Sequence, residues 1–196
     1  GTLTQMKRDM MAEVAATLAF STIANNDKVG VIFFSDKIEK FIPAQKGKTH
    51  VLHIIRELLS FEPSSTGTDI AQALQYFSNA QKRHCTAFLI SDFIGVEGLE
   101  KPLMIASNRH EVNAIQIYDR REAELPNVGL VKFHDAETGG DLWVDTAIAS
   151  LRNNYAQAWR DNQDEMQQLF TRTGINHISI RTDEDYVKAL MHLFRC

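Results

Sequence analysis

With 196 residues, 44% hydrophobic and 23% charged, the chain has the make-up of one soluble globular domain. A formal net charge of −4 argues against broad binding to nucleic acid or anionic membrane, and the basic pairs Lys7-Arg8 and Lys82-Arg83 read as solvated faces. No apolar run approaches the ~20 residues of a membrane span and no signal peptide is evident, so the expectation is a reduced, cytoplasmic protein. The two cysteines, Cys85 and Cys196, make no disulfide framework, and Cys85 reads as a small core residue.

In chain order, residues 4–25 predict a helix. Met6, Met10, Val14 and Leu18 recur every fourth position, Leu3, Met11 and Ala15 widen the stripe, and Asn25-Asn26-Asp27 ends it. Val29-Gly30-Val31-Ile32-Phe33-Phe34 is an apolar run of strand length, which predicts burial on both faces. Ile38 to Ile42 alternates as a half-exposed strand, and Pro43 suits an edge or an ending. A helix over 48–60 follows, with Val51, Ile54, Ile55, Leu58 and Leu59 on one side. Glu62 to Gly67 is a turn-rich loop, after which Thr68 or Asp69 caps a helix whose apolar face includes Ile70, Ala73, Leu74 and Phe77.

Cys85 to Ile90 predicts a second buried strand ending at Ser91-Asp92. A helix near 97–108 and a third strand, Val112 to Tyr118, come next. This alternation of strands and helices predicts parallel βαβ units. The pattern changes at 129–146, where Leu130-Val131-Lys132-Phe133 and Leu142-Trp143-Val144 flank a glycine turn, as in a β-hairpin. A long helix over 147–172 carries Leu151, Tyr155, Trp159, Met166, Leu169 and Phe170, with Gly174 as its stop. Ile178 to Ile180 is a last strand. Asp183 then caps a helix bearing Tyr186, Val187, Leu190, Met191 and Leu193.

Two polar motifs stand where loops meet regular structure: Gly67-Thr68-Asp69 before a helix and Ser91-Asp92-Phe93 after a strand. In an open α/β sheet both fall on the ligand-binding edge. Thr68 and Asp92 supply a hydroxyl and a carboxylate, the oxygen donors that a hard divalent cation takes from separate segments. On these two residues alone, a helix cap and a loop carboxylate explain the pattern better than a metal site.

Other constellations point to structure. His50 and His53 share a helix face but have no third ligand at suitable spacing. Asp135, Glu137 and Asp141 lack the length and terminal glutamate of an EF-hand loop, so a hairpin turn is the better reading. Serine-nucleophile, dinucleotide and P-loop signatures are absent. Trp143 and Trp159 read as core or hairpin-packing residues.

Taken together, Asp27-Lys-Val-Gly-Val-Ile-Phe-Phe-Ser-Asp36, Thr66-Gly-Thr-Asp69 and Phe88-Leu-Ile-Ser-Asp-Phe93 resemble consecutive landmarks of a von Willebrand factor A-like domain. His50-Val-Leu-His-Ile-Ile-Arg-Glu-Leu-Leu59, Glu137-Thr-Gly-Gly-Asp-Leu-Trp-Val-Asp-Thr146 and Thr182-Asp-Glu-Asp-Tyr-Val-Lys-Ala-Leu190 are similar to segments of a bacterial family, domain-of-unknown-function family fifty-eight. The resemblance spans essentially the whole chain. It implies one domain over 1–196 with a Rossmann-like, mostly parallel sheet flanked by helices and an inserted or edge hairpin near 129–146.

The resemblance also implies a metal-ion-dependent adhesion site built from an Asp-x-Ser-x-Ser motif, a threonine and an aspartate. Thr68 and Asp92 match the last two. Gly1-Thr2-Leu3 resembles the stretch just after the first motif, and Thr2 and Thr4 cannot replace it. The expectation is therefore an N-terminally truncated domain whose first strand and remaining ligands lie upstream. Mg²⁺ or Mn²⁺ would belong to the full-length protein and be absent or weakly held here.

A sheet without that central strand would associate between copies or shift to close the gap. The function implied is a non-enzymatic protein-interaction module working with a MoxR-type AAA+ ATPase or its client in assembly or chaperoning. The alternatives are a metal-assisted hydrolase using Asp92 and a metal-free scaffold.

Overall fold

The structure, a computed structural model, describes residues 6–65, 67–134 and 141–194. Its centre is the strand β4 (Glu111–Tyr118), whose residues Val112 to Ile117 are all buried. β4 pairs in parallel with β3 (Thr86–Ser91) on one edge and β7 (Asn176–Arg181) on the other. Side chains alternate along it. Val112 and Ala114 point into one apolar cluster, and Ile115 and Ile117 reach another.

Helices cover both faces, which is why Val112, Ala114, Ile115 and Ile117 are all buried, with Asn113 and Gln116 as buried polar exceptions. On one side α3 (Ile70–Ala80), α4 (Glu100–Ser107) and α6 (Ala149–Thr173) supply Ile70, Leu74, Leu103, Ala106, Leu169 and Phe170. On the other, α1 (Lys7–Asn25) and α7 (Tyr186–Leu193) supply Met10, Val14, Leu190 and Leu193. The expected parallel βαβ organisation is present as this three-stranded sheet between helices.

The first strand behaves differently from its sequence expectation. β1 (Val29–Phe34) forms an antiparallel pair with β2 (Ile38–Gln45), which runs on through Pro43 as an edge strand. Only Phe33 of β1 is buried, because the strand is laddered on a single edge instead of lying inside a sheet. β3 is likewise half-exposed at Ala87, Phe88 and Ile90. Among the described residues no ladder joins β1 to β3, so the sheet is divided and not shifted closed.

α1 spans the division. Its Met10 and Val14 pack with β4 and β7, whereas Ala19 packs with Phe33, Ile42 and the residues Val51 and Ile54 of α2 (Lys48–Ser60).

Several local expectations need correction. Met6 and Leu59 are exposed, since Met6 precedes the first turn of α1 and Leu59 lies past the buried stripe of α2. The final helix is capped by Asp185, whose carboxylate accepts from the Val187 N–H; Asp183 turns back to pair with Arg181. A single-turn helix α5 (Arg120–Ala123) follows β4 and had no counterpart in the expected elements.

The hairpin is present as β5 (Leu130–His134) and β6 (Asp141–Asp145), with Trp143 opposite Lys132 and exposed, not packed. The loop at 135–140 lies outside the described residues, as do Thr2, Leu3, Thr4, Thr66 and Cys196. Trp159 stacks on Tyr118 with ring centres 5.2 Å apart.

Candidate functional site

The parallel strands end together, and their first loop residues are polar: Asp92 after β3, Asp119 after β4 and Thr182 after β7. Carboxyl ends of parallel strands are where open α/β sheets carry ligands. A continuous polar network runs along this rim. Ser179 donates to Gln116 Oε1 at 2.8 Å, and Gln116 Nε2 donates to the Asp92 carbonyl at 3.1 Å. Gln116 is buried on the central strand, so this amide fixes the height of the Asp92 loop from below.

The loop itself is strained. Phe93 is fully buried yet has φ +52°, a left-handed conformation that costs a bulky side chain. Its ring is held edge-on to Phe170, with centres 5.2 Å apart, and its N–H donates to Ser91 Oγ. The next residue, Ile94, is 61% exposed, and its N–H donates to Asp92 Oδ1 at 3.4 Å.

The Asp92 carboxylate faces a cation already present in the chain. Lys7 Nζ lies 2.9 Å from Asp92 Oδ2 and 2.5 Å from Glu122 Oε1. All three side chains are about one-quarter exposed. Burial opposes the ammonium charge, but hydrogen bonds to Glu122 and Asp92 outweigh it and hold the Lys7 pKa above the ordinary lysine value. Glu122 is itself fixed by a capping box: its Oε2 accepts from the Asp119 N–H, and Asp119 Oδ1 accepts from the Arg121 N–H. Thr182 Oγ1 donates to Asp119 Oδ2, carrying the network to β7. Of the basic pair Lys7-Arg8, Arg8 is exposed as expected, but Lys7 is half-buried. Lys7 is drawn into the rim by two carboxylates, and Arg8 donates to the Phe61 carbonyl.

Thr68 lies exposed in the segment that leads into α3. That segment is tied to the end of β1 by the Asp69 N–H, which donates to the Ser35 carbonyl at 2.8 Å. Asp69, not Thr68, caps the helix, accepting from the Gln72 N–H. At Gly67 a Cβ would come within 3.3 Å of Asp36 Cβ, a tight contact between this segment and the end of β1. Below it, Ser35 Oγ donates to Glu39 Oε1 at 2.7 Å and Ser64 Oγ donates to the same carboxylate; these bonds hold Glu39 below the usual carboxylate range.

Phe34, beside Ser35, packs on the cluster that contains Phe93, beside Asp92. No hydrogen bond joins Thr68 to Asp92. Of the weaker candidates, His50 bonds the Val29 carbonyl and His53 faces Glu57, so they do not converge.

These side chains do not by themselves fit a resident divalent ion. An ion at Asp92 would have to displace an ammonium. Among the described residues, no group of three or more His, Cys, Asp or Glu side chains is arranged to hold one. Sequence reading missed Lys7, Gln116 and Glu122, although each left a trace. Lys7 puts a positive charge in a first helical turn, Gln116 interrupts an apolar strand, and Asp119-x-x-Glu122 has the spacing of a capping box.

Fold and rim define an α/β protein whose three-stranded parallel sheet between helices carries a polar edge at its strand ends. The chain belongs to the family described as Protein of unknown function DUF58, which matches residues 1–165. It is 30% identical over 191 residues to uncharacterised proteins of Mycobacterium bovis and Mycobacterium tuberculosis, covering 95% of this chain and 59% of theirs. It thus spans under two-thirds of the length of those relatives.

In fold it is similar to a conserved hypothetical protein, BatB, from Bacteroides thetaiotaomicron (TM-score 0.56, 18% identity, 94% of this chain and 86% of that one). It is also similar to an aerotolerance-related membrane protein from Bacteroides fragilis (TM-score 0.55, 18% identity, 94% and 89%). Among the described residues, no helix of this chain is long and apolar enough to cross a membrane.

Proposed function

We propose that this chain is a non-enzymatic protein-interaction module that docks through the Asp92 rim, working with a MoxR-type AAA+ ATPase or its client in assembly or chaperoning. The observation that carries this reading is the Asp92-Phe93-Ile94 loop. Phe93 is anchored in the core in a strained conformation, while Ile94 is displayed at 61% exposure beside a half-buried ionic bridge. A rigid loop that presents an apolar side chain within a polar surround has the make-up of an interface centre.

The von Willebrand factor A-like resemblance supports the same edge. It makes Thr68 and Asp92 two ligands of an incomplete Mg²⁺ or Mn²⁺ site, with the ion absent or weakly held in this chain. The Lys7 bridge favours the metal-free form of the reading.

The test is affinity for a purified MoxR-type ATPase from the same genome, measured by biolayer interferometry. Ile94→Asp and Asp92→Asn should each weaken binding by about tenfold or more. Trp143→Ser, on the distant hairpin, should leave it unchanged. Loss of binding on the hairpin variant alone would move the interface away from the rim. Phosphoester turnover abolished by Asp92→Asn would instead make the protein a metal-assisted hydrolase.

A further inference from the structure

The Lys7 bridge has the chemistry of a built-in counter-ion. We propose that Lys7 holds the cation position of this rim and thereby keeps divalent metal off the Asp92–Glu122 carboxylate pair. The proposal rests on the rim being the functional face.

Three observations carry it. First, one ammonium serves two carboxylates from distant segments, at 2.9 Å and 2.5 Å, and both carboxylates are otherwise positioned: Asp92 by the Ile94 N–H and Glu122 by the Asp119 N–H. Each carboxylate thus has a backbone tether besides Lys7, and the two face one ammonium from separate segments. Second, Lys7 is the first residue of α1, where the helix dipole disfavours a positive charge, and Met6 provides no side-chain cap. A lysine is held there by the two carboxylates, against the local preference.

Third, the charge balance is lopsided. Two carboxylates and one ammonium leave a residual negative charge, and removing the ammonium leaves two facing negative charges partly shielded from solvent. Such a pair draws in a hard cation, because an unpaired half-buried carboxylate is costly and oxygen donors suit Mg²⁺ and Mn²⁺.

The experiment is a Mn²⁺ and Mg²⁺ titration of the intact chain, followed by calorimetry, thermal melting and paramagnetic broadening of backbone amides. The unaltered chain should show no saturable binding and no selective broadening at Asp92 to Ile94 or Glu122. Lys7→Met should acquire one saturable Mn²⁺ site, about tenfold or more tighter than any residual binding to the parent, with melting raised by the ion. Lys7→Gln supplies the same test should Lys7→Met not fold.

Adding Asp92→Asn should abolish the acquired site, and Lys7→Arg, which keeps the charge, should remain blind to metal. Asp92-dependent broadening in the unaltered chain would overturn the proposal. So would a failure of both neutral variants to gain a site. Partner affinity of the same proteins is a separate readout. If Asp92→Asn leaves it unchanged, the rim fails as a docking face, while the titration still decides whether Lys7 excludes metal.

Discussion

Gly30 is where one missing carbon decides a pairing. A Cβ there would lie 2.7 Å from the Ile42 carbonyl oxygen and 2.8 Å from the Ala44 nitrogen, both backbone atoms that cannot swing aside. The β1–β2 register also shifts between Val29 and Val31, so the glycine permits a close approach at an irregular step. Gly30→Ala should lower stability by about 1–3 kcal/mol, the usual cost of overpacking. A urea melt with an unmoved midpoint would mean that the ladder relaxes around the methyl group.

Two histidines set a second residue-scale property. His110 is 3% exposed against Phe77, and burial, with Arg109 and His84 nearby, holds its pKa below the ordinary 6.5. Burial does the same for His177, which packs on Phe170. The unfolded chain therefore takes up protons at these positions before the folded chain does. Their contribution is complete above 6.5 and is lost as pH falls through the lowered folded values. The melting temperature should drop between about pH 7.5 and about pH 5.5, and less steeply in a His110→Gln/His177→Gln double variant. Equal slopes in parent and variant would assign the acid sensitivity to other groups.

At the scale of elements, what could be read from sequence was whatever depends on neighbours along the chain. The strand character of β4, the Asn26 and Gly174 stops with left-handed φ, and the Asp69 cap all use contacts within a few residues. The depth at which an element is buried depends on what lies beside it, and there the reading failed. Val29 to Phe34 is more apolar than β4, yet only Phe33 is buried. The same limit hid half of the candidate site. Asp92 was legible because it ends a strand, but Lys7 lies 85 residues away and meets it only after α1 has packed across the sheet. Glu122 was recoverable from the Asp119-x-x-Glu122 spacing, a local signal.

For the whole molecule, the consequence of the divided sheet is uneven protection of its backbone. β4 is laddered on both edges, whereas β1 and β3 each have one ladder partner among the described residues. α1 and α3 pack over this region through side chains such as Val14, Ala19 and Ile70. Backbone amides that turn away from a ladder open at low cost, whereas those in a buried, doubly paired strand exchange only with global unfolding. Hydrogen exchange should therefore show alternate amides of Ala87 to Ile90 exchanging well before those of Val112 to Ile117, although the strands are adjacent and parallel. Uniform protection across β3 and β4 would mean that the outer edge of β3 is paired in solution. If that protection vanished on dilution, the partner would be a second copy of this chain, and the division of the sheet would be the reason for the association.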